Sequence, residues 1–386
     1  MKRRLAEETV IFISVLKWVI LAAIVGAIVG LSTTAFLKAL SWGSAFSGRY
    51  SQYFFHNDSY YFFLLPVALF LSTAMTKYLA PDAEGHGTDK IIEAVHKRSG
   101  KIKAIVVPVK LVATIITLVT GGSAGKEGPC AQIGAGLSSV FADLLRVDDN
   151  DRKKLVICGI SAGFASVFGT PLAGAIFGLE VLFVGNILYD VLLPSFVAGI
   201  MGYRVAWLLG SKHFHHNLNF VPTFSEHLFL QVILAGIFFG LCSFLPIEVL
   251  RTGEKLSKKI QIWKPLKGLI GGSVLIVLTL VFSDRYLGLG AANTPIAASI
   301  MALELFGPKL GPYAAIACII SFLMTGHRSV YPSQMIDFRK SSSIHLVGGE
   351  EVEDVKAHVK PRSKSVIGVY LRIGSTIKEI FQKRKE

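Results

Sequence analysis

The stretch GGSAGKEGPCAQIGAG (121–136) places a charged pair, Lys126 and Glu127, in a glycine-rich bend between two apolar segments. Glycines let a backbone come close to a ligand and expose its amide groups. Pro129 is typical of the first turn of a helix, so we expect the amides of residues 125–128 to form a helix N-terminus. Such an end carries roughly half a positive charge and favours a bound anion. The Lys126 side chain adds positive potential nearby.

Glu127 conflicts with an anion site, because its carboxylate would compete with the anion. This conflict predicts a gate: ionised Glu127 occupies the anion position, and protonated Glu127 moves away and admits the anion. Ionisable side chains at membrane depth are usually functional. The alternative is a structural pair, in which Lys126 and Glu127 hold the bend together.

The elements around this bend read as membrane helices. Hydrophobic residues make up 52% of the chain, charged residues 17%, and the mean hydropathy is +0.54. A bilayer is crossed by about 20 apolar residues, and long apolar runs occur at 10–37, 60–80, 104–120, 187–210, 228–250 and 266–282, with shorter runs at 155–168, 171–185 and 312–326. The first run is too long for a signal peptide and is read as a retained helix. These runs predict an all-α polytopic membrane protein.

The net charge of +14 comes from short loops rather than from a nucleic-acid-binding surface. Basic residues are concentrated in HKRSGKIK (96–103), DRKK (151–154) and EKLSKKIQIWKPLK (254–267), whereas the loops 48–59 and 210–222 carry few. By the positive-inside rule the first set of loops faces the cytoplasm, as do both termini. We therefore expect no nucleic-acid partner and an integral protein of the inner (plasma) membrane. The membrane domain is predicted to cover 1–335 and a cytoplasmic tail 336–386.

Two apolar segments repeat each other without a gap. GTPLAGAIFGLEVL (169–182) matches NTPIAASIMALELF (293–306), with Pro at the expected helix start and Glu180 or Glu304 about three turns later. A weak repeat in two halves of a membrane protein is typical of transporters and channels built from duplicated units. The alternative is two unrelated helices with similar starts. The second half contains no counterpart of the glycine-rich bend.

With these motifs the sequence resembles the CLC family of chloride channels and chloride/proton exchangers. GKEGP (125–129) followed by QIG (132–134) is similar to the family's gating-glutamate motif, and GTPLAGAIFGLE to the helix that follows it. GHGTDKIIEAV (85–95) stands where the family has G-S-G-I-P-E, and TGHRSVYPSQ (325–334) resembles the region with the pore tyrosine. The resemblance implies an inverted-repeat helical architecture with short broken helices, and a homodimer.

The same resemblance assigns roles to individual residues. It implies that Glu127 is the gate, that the amides around Gly125 and Gly128 coordinate the anion beside Lys126, and that Tyr331 provides a hydroxyl at the central site. Without the family, Tyr331 would be read as an interfacial aromatic anchor. His86 replaces the family's coordinating serine, and either donation to the anion or packing in the core explains it.

Two further departures concern activity. Val181 stands where family exchangers often carry a second, proton-relaying glutamate, so strict exchange is not expected, and Glu180 and Glu304 are interpreted as structural. The family's G-x-F-x-P motif is absent between DRYLGLG (284–290) and AANTP, so the second repeat is expected to be incomplete, with about four family helices missing at that junction.

The resulting hypothesis is chloride transport through a glutamate-gated pathway, either channel-like or as chloride/proton exchange. The alternatives are a non-conducting truncated homologue or interaction subunit, and a fluoride/proton antiporter, although Pro129 fits the chloride-type motif better. The histidine-rich stretch KHFHHN (212–217) is interpreted as a solvated loop rather than a metal site, because no Asp, Glu or Cys lies at ligand spacing. No motif indicates an enzyme or a cofactor.

Overall fold

A computed structural model describes most of the chain. The described residues are 2–55, 58–122, 124–184, 188–211, 225–282, 295–307, 310–325, 329, 331, 333–336, 344–345, 350–352 and 358–359. The histidine-rich stretch, the junction at 283–294 and the end of the tail lie outside them.

Helices dominate the described residues. In chain order they are α1 (Lys2–Phe55), a 3-10 helix (Asp58–Leu64), α2 (Leu65–Leu79), a second 3-10 helix (Pro81–Ala83), α3 (Thr88–Lys97), α4 (Val106–Val119), α5 (Glu127–Leu145), α6 (Asp149–Phe168), α7 (Pro171–Glu180), α8 (Tyr189–Leu208), α9 (Glu226–Lys259), α10 (Lys264–Phe282), α11 (Pro295–Phe306) and α12 (Gly311–Met324). The predicted all-α polytopic class is confirmed.

Among the residues that the structure describes, five helical segments are long and apolar enough to cross a membrane. They are Glu8–Tyr53, Tyr61–Leu79, Tyr189–Leu208, Glu226–Lys259 and Lys264–Val281. Shorter apolar helices occur at Val106–Val119, Pro171–Glu180, Ala297–Phe306 and Gly311–Met324. At a rise of about 1.5 Å per residue these are too short to span the roughly 30 Å hydrocarbon layer. The predicted mixture of long and short helices is therefore present.

The centre of the fold is α6, whose residues 155–167 are all buried. It packs against α5, α7, α8 and α1. Small residues make the closest approaches: a side chain at Gly159 would collide with the Gly134 carbonyl of α5, and one at Gly163 would lie 2.5 Å from the Cys130 carbonyl. Close packing of helix backbones through small residues is the usual arrangement inside a membrane.

The two repeated segments form a reciprocal pair. Helices α7 and α11 both begin at the proline of their repeat and pack against each other. Glu304, near the end of α11, accepts hydrogen bonds from the Leu172 and Ala173 amides of α7, both at 2.9 Å. Glu180, at the end of α7, accepts one from the Ala297 amide of α11, at 2.9 Å. The last turn of each helix thus lies beside the first turn of the other, and the structural roles predicted for both glutamates are confirmed.

Short strands connect the end of α7 to the segment after α12. β1 (Phe183–Val184) pairs in parallel with β2 (Met335–Ile336), which pairs antiparallel with β4 (Glu350–Glu351). β3 (Ile344–His345) pairs antiparallel with β5 (His358–Val359). Each strand is two residues long, so these pairings fasten segments and form no layer of the fold. The domain boundary near 335 stays a prediction.

Candidate functional site

The glycine-rich bend ends where α5 begins, at Glu127, with Lys126 as the residue before it. The first amides of a helix have no acceptor within the helix, so this end presents N–H donors as the sequence predicted. Residues 124–127 line a cavity of about 230 Å³ together with Leu40, Ser44 and Leu118. Broken backbone that lines a cavity is tolerated at membrane depth because polar groups there are not exposed to lipid.

The Glu127 carboxylate is folded back over this bend. Its Oε2 atom occupies the space that a side chain at Gly125 would take. The carboxylate therefore lies on the bend itself, next to the start of α5. Within the described residues no salt bridge joins Lys126 to Glu127, so the structure provides no contact for the interpretation of the two as a structural staple.

Gly128 brings a second segment to the site. A side chain at this position would collide with the carbonyl oxygen of His86 and would lie 3.3 Å from the Thr88 hydroxyl. The loop before α3 is therefore in direct contact with the first turn of α5. Thr88, the first residue of α3, is 1% exposed. The glycine at 128 is needed for this close approach of two backbones.

Tyr331 joins the same neighbourhood from the segment after α12. Its side chain is 7% exposed and lies beside the Thr88 hydroxyl, with the Asp89 and Glu127 carboxylates close enough to interact electrostatically. Its amide donates to the Ser329 hydroxyl at 3.0 Å. The structure thus brings together Glu127, Gly128, the His86 backbone and Tyr331, the last of which is more than 200 residues from the other three in sequence.

His86 lies on the exposed side of this loop. Desolvation by surrounding protein and the positive charge of Lys110 lower its pKa, while Glu254 of α9 raises it. The net shift is downward, so the imidazole is neutral at pH 7 and keeps one N–H that can donate. Whether His86 donates to the anion or packs against its neighbours stays a prediction.

Two buried residues that the sequence did not indicate hold the His86 loop in place. Lys110 of α4 is 4% exposed and donates to the Gly85 carbonyl at 2.6 Å and to the Ala83 carbonyl at 3.1 Å. Gln132 of α5 is 1% exposed and donates to the Asp82 carbonyl at 2.7 Å. The loop needs such support because it contains two glycines with positive φ, Gly85 (78°) and Gly87 (90°).

The end of α7 is apolar where family exchangers often have a proton-relaying glutamate. Val181 is 1% exposed, and its carbonyl accepts a hydrogen bond from the Gln334 side chain at 3.1 Å. Gln334 in turn accepts from the Ser329 hydroxyl at 2.9 Å. Among the residues that the structure describes, no cluster of three His, Cys, Asp or Glu could hold a metal ion.

Comparisons with known proteins place these features in a family. The family model for the voltage gated chloride channel matches residues 67–293, which is more than half of the chain. A chloride/fluoride channel protein of Pseudomonas syringae pv. tomato is 29% identical over 88% of this chain and 91% of that protein. An uncharacterized protein of Methanocaldococcus jannaschii is 27% identical over 73% of this chain and 67% of its own length.

Solved structures show the same fold. A CLC-type fluoride/proton antiporter superposes with a TM-score of 0.73 at 21% identity, covering 83% of this chain and 98% of the other. A slow cyanobacterial chloride/proton antiporter has a TM-score of 0.68 at 17% identity, covering 80% and 94% of the two chains. These likenesses confirm the CLC-type arrangement of long and short helices.

The Pseudomonas alignment also bears on the expected missing segment. It extends over 419 positions, whereas 88% of 386 residues is only about 340, so about 80 aligned positions have no residue in this chain. The coverage figures do not locate these positions along the chain, so the incomplete second repeat stays a prediction. The predicted junction itself lies outside the described residues. On the extent of the family match and the agreement of the fold, the chain belongs to the voltage gated chloride channel family.

Proposed function

We propose that this protein transports chloride across the membrane through a pathway gated by Glu127. Family membership supports anion transport as the class of function, with chloride or fluoride as the anion. The observation that carries the finer proposal is the Glu127 carboxylate, which is folded over the glycine bend at the start of α5. A carboxylate in that place occupies the position that favours an anion.

The proposed pathway uses three kinds of group. The amides around Gly125 and Gly128 donate hydrogen bonds to the anion at the start of α5, and Lys126 adds positive charge beside the cavity. Tyr331, and the neutral imidazole of His86, donate further hydrogen bonds from the other side of the Gly128 contact. Ionised Glu127 closes the path by taking the anion's place, and protonation releases it.

Chloride is proposed over fluoride on the proline that follows the gate, Pro129, which lies in the first turn of α5. The related proteins and structures are described with both anions, so the experiment must measure both. A homodimer, an inner-membrane location and cytoplasmic termini are predicted together with this function. Protons accompany the anion only in the exchange form of the mechanism.

Liposome flux tests this proposal directly. Purified protein is reconstituted into vesicles loaded with chloride or with fluoride, and a potassium ionophore with external potassium-free buffer sets the voltage and lets anions leave. We expect chloride release well above that from protein-free vesicles, and faster than fluoride release. Ion-selective electrodes measure both anions in the same preparation.

Three other outcomes would each revise the proposal. Fluoride release without chloride release would make the protein a fluoride transporter. Absence of release of either anion by folded protein would favour the non-conducting homologue, in which the missing segment abolishes transport. Release that is unchanged by substitution of Glu127 would leave transport standing and remove Glu127 as the gate.

A further inference from the structure

The C-terminal part of α9 extends beyond the membrane as a basic helix. At about 1.5 Å per residue its 34 residues measure roughly 50 Å, much more than the roughly 30 Å hydrocarbon layer. The apolar residues end near Leu250, and residues 252–260 are all exposed. Over residues 251–267 there are six basic side chains and one acidic side chain, Glu254. This end of α9 is therefore a strongly positive surface.

Apolar and aromatic side chains alternate with these cations. Leu256 is 56% exposed, Ile260 50% and Trp263 48%. The Trp263 indole N–H donates to the Tyr78 hydroxyl at 2.8 Å, and the Lys77 ammonium lies 5.9 Å from the Trp263 ring. Trp and Tyr of this kind concentrate at the level of the lipid headgroups. We call residues 251–267, with Lys77 and Tyr78, the interfacial patch.

Part of the positive charge in the interfacial patch is not neutralised within the described protein. Lys258 pairs with Glu254 at 2.9 Å, and Lys264 pairs with Glu84 at 2.9 Å. Lys255 and Lys259 are both exposed and have no ion pair among the described residues. Two ammonium groups with no ion pair among the described residues thus stand one turn apart on α9.

We propose that the interfacial patch binds the headgroup of an anionic phospholipid, with the phosphate at Lys255 and Lys259. Juxtamembrane lysines attract anionic lipids, and the exposed Leu256, Ile260 and Trp263 contact the upper part of the acyl chains as interfacial apolar residues do. An acidic soluble protein would satisfy the lysines but would leave these apolar side chains unexplained.

The interfacial patch adjoins the loop that carries His86. Lys264 bonds to Glu84, two residues before His86, and Glu254 is close enough to His86 to affect its charge. A bound anionic headgroup would therefore place negative charge near the His86 end of the pathway. Bound lipid should therefore also slow anion entry, and the rate of entry can be measured separately from lipid binding.

Lipid binding is tested without transport. Full-length protein in detergent is titrated with phosphatidylglycerol, phosphatidylcholine or inorganic phosphate; retained lipid is detected by native mass spectrometry and binding by the rise in thermal unfolding temperature. We expect wild-type protein to prefer phosphatidylglycerol. The variant K255Q/K259Q, which leaves the Lys258–Glu254 pair intact, should bind it roughly 25-fold more weakly, at about fivefold per lysine.

The matched control is K101Q/K103Q, which removes two exposed lysines from another basic loop and should leave the preference for phosphatidylglycerol unchanged. K255R/K259R should restore binding and would show that charge is what matters. Equal binding of phosphatidylcholine, an undiminished preference in K255Q/K259Q, or an equal effect of inorganic phosphate would overturn the proposal. Because none of these readouts uses transport, failure here is distinct from failure of anion flux.

Discussion

Glu127 joins two properties that are opposed in the sequence. It is an acidic residue at a helix start that favours anions, and its carboxylate is folded over the bend that exposes the amides. A carboxylate satisfies those donors when ionised and gives them up when protonated. In the proposed gate, the Glu127 side chain and the transported anion compete for the same N–H groups.

Glu127→Gln should remove the pH dependence of flux. Glutamine resembles protonated glutamate, so the variant should conduct at near-maximal rate throughout, whereas wild-type flux should rise as pH falls. Chloride release from liposomes between about pH 5 and pH 7.5 measures this. Pathway geometry is otherwise preserved, because the two side chains have the same shape.

Two glycine variants serve as controls for this result. Gly125→Ala places a methyl group where the Glu127 carboxylate lies, so it should weaken the pH dependence without removing the carboxylate. Gly128→Ala collides with the His86 backbone instead, so it should lower flux at every pH. A wild-type pH profile in Glu127→Gln would contradict the gate.

At the residue scale the sequence predicted the bend and the helix start at Glu127 but not the residues that support the His86 loop. The glycines, Lys126, Glu127 and Pro129 form one short motif, and local rules for helix starts suffice to interpret it. Lys110 lies in an apolar run and Gln132 in the QIG part of the motif, and both donate to backbone carbonyls of a distant loop. No pattern in sequence indicates such a bond, because its acceptor is a main-chain atom that any residue would supply.

At the scale of elements, the repeat gives α7 and α11 matching ends, so that each helix can cap the other. Each helix begins with unsatisfied amides, and each ends with a glutamate that satisfies the amides of the other. A negative group at a helix start also interacts favourably with the helix dipole. The starts of α7 and α11 are therefore each capped by a glutamate of the other helix. At the start of α5 the nearby carboxylate is that of Glu127, the proposed gate.

Glu304→Gln should destabilise the fold by about 1–2 kcal/mol, because one of its two accepting oxygens is replaced by an amide that cannot accept. Glu180→Gln should have a similar effect, since its side chain is 8% exposed and caps Ala297. Thermal unfolding in detergent measures both. The control is Glu8→Gln, an exposed glutamate of α1, which should leave the unfolding temperature unchanged. Equal stability of Glu304→Gln and Glu8→Gln would contradict the reciprocal caps.

The long membrane helices were predictable because their apolar runs are long and end at or near glycine, proline or charge. Their packing was not. Gly134 could be read as part of the anion bend, yet it lies where α5 crosses Gly159 of α6. The sequence distinguishes poorly between a glycine that exposes amides and one that lets two helices touch, because both need only a missing side chain.

At the scale of the whole molecule, Glu127 and Tyr331 meet although about 80 positions of the alignment with the Pseudomonas relative have no residue in this chain. Tyr331 reaches the Glu127 neighbourhood because its segment is fastened through Ser329 and Gln334 to the end of α7. The sequence motifs predicted that the glycine-rich bend, the α7 repeat and the Tyr331 segment are present. It could not predict that the segment after α12 would bind to α7, since those contacts join residues about 150 positions apart.

Loose proton coupling is the prediction that depends on the whole arrangement. Proton transfer along the pathway needs titratable side chains or water between Glu127 and the other side of the membrane. At the family's position for the inner glutamate the chain has Val181, which is 1% exposed in an apolar cluster, and its neighbour Glu180 is engaged in the α11 cap. We expect an imposed chloride gradient to move few protons for each chloride.

Proton movement is measured as the pH change of a weakly buffered suspension of liposomes while an uphill chloride gradient is applied, with chloride flux recorded in the same vesicles. Proton uptake at a fixed ratio to chloride would show that coupling is tight and that Val181 does not interrupt the path. In that case Glu180 is the group to examine, because it is the carboxylate next to Val181. Glu180→Gln would then abolish proton uptake if Glu180 carries the proton, and would leave it unchanged if water does.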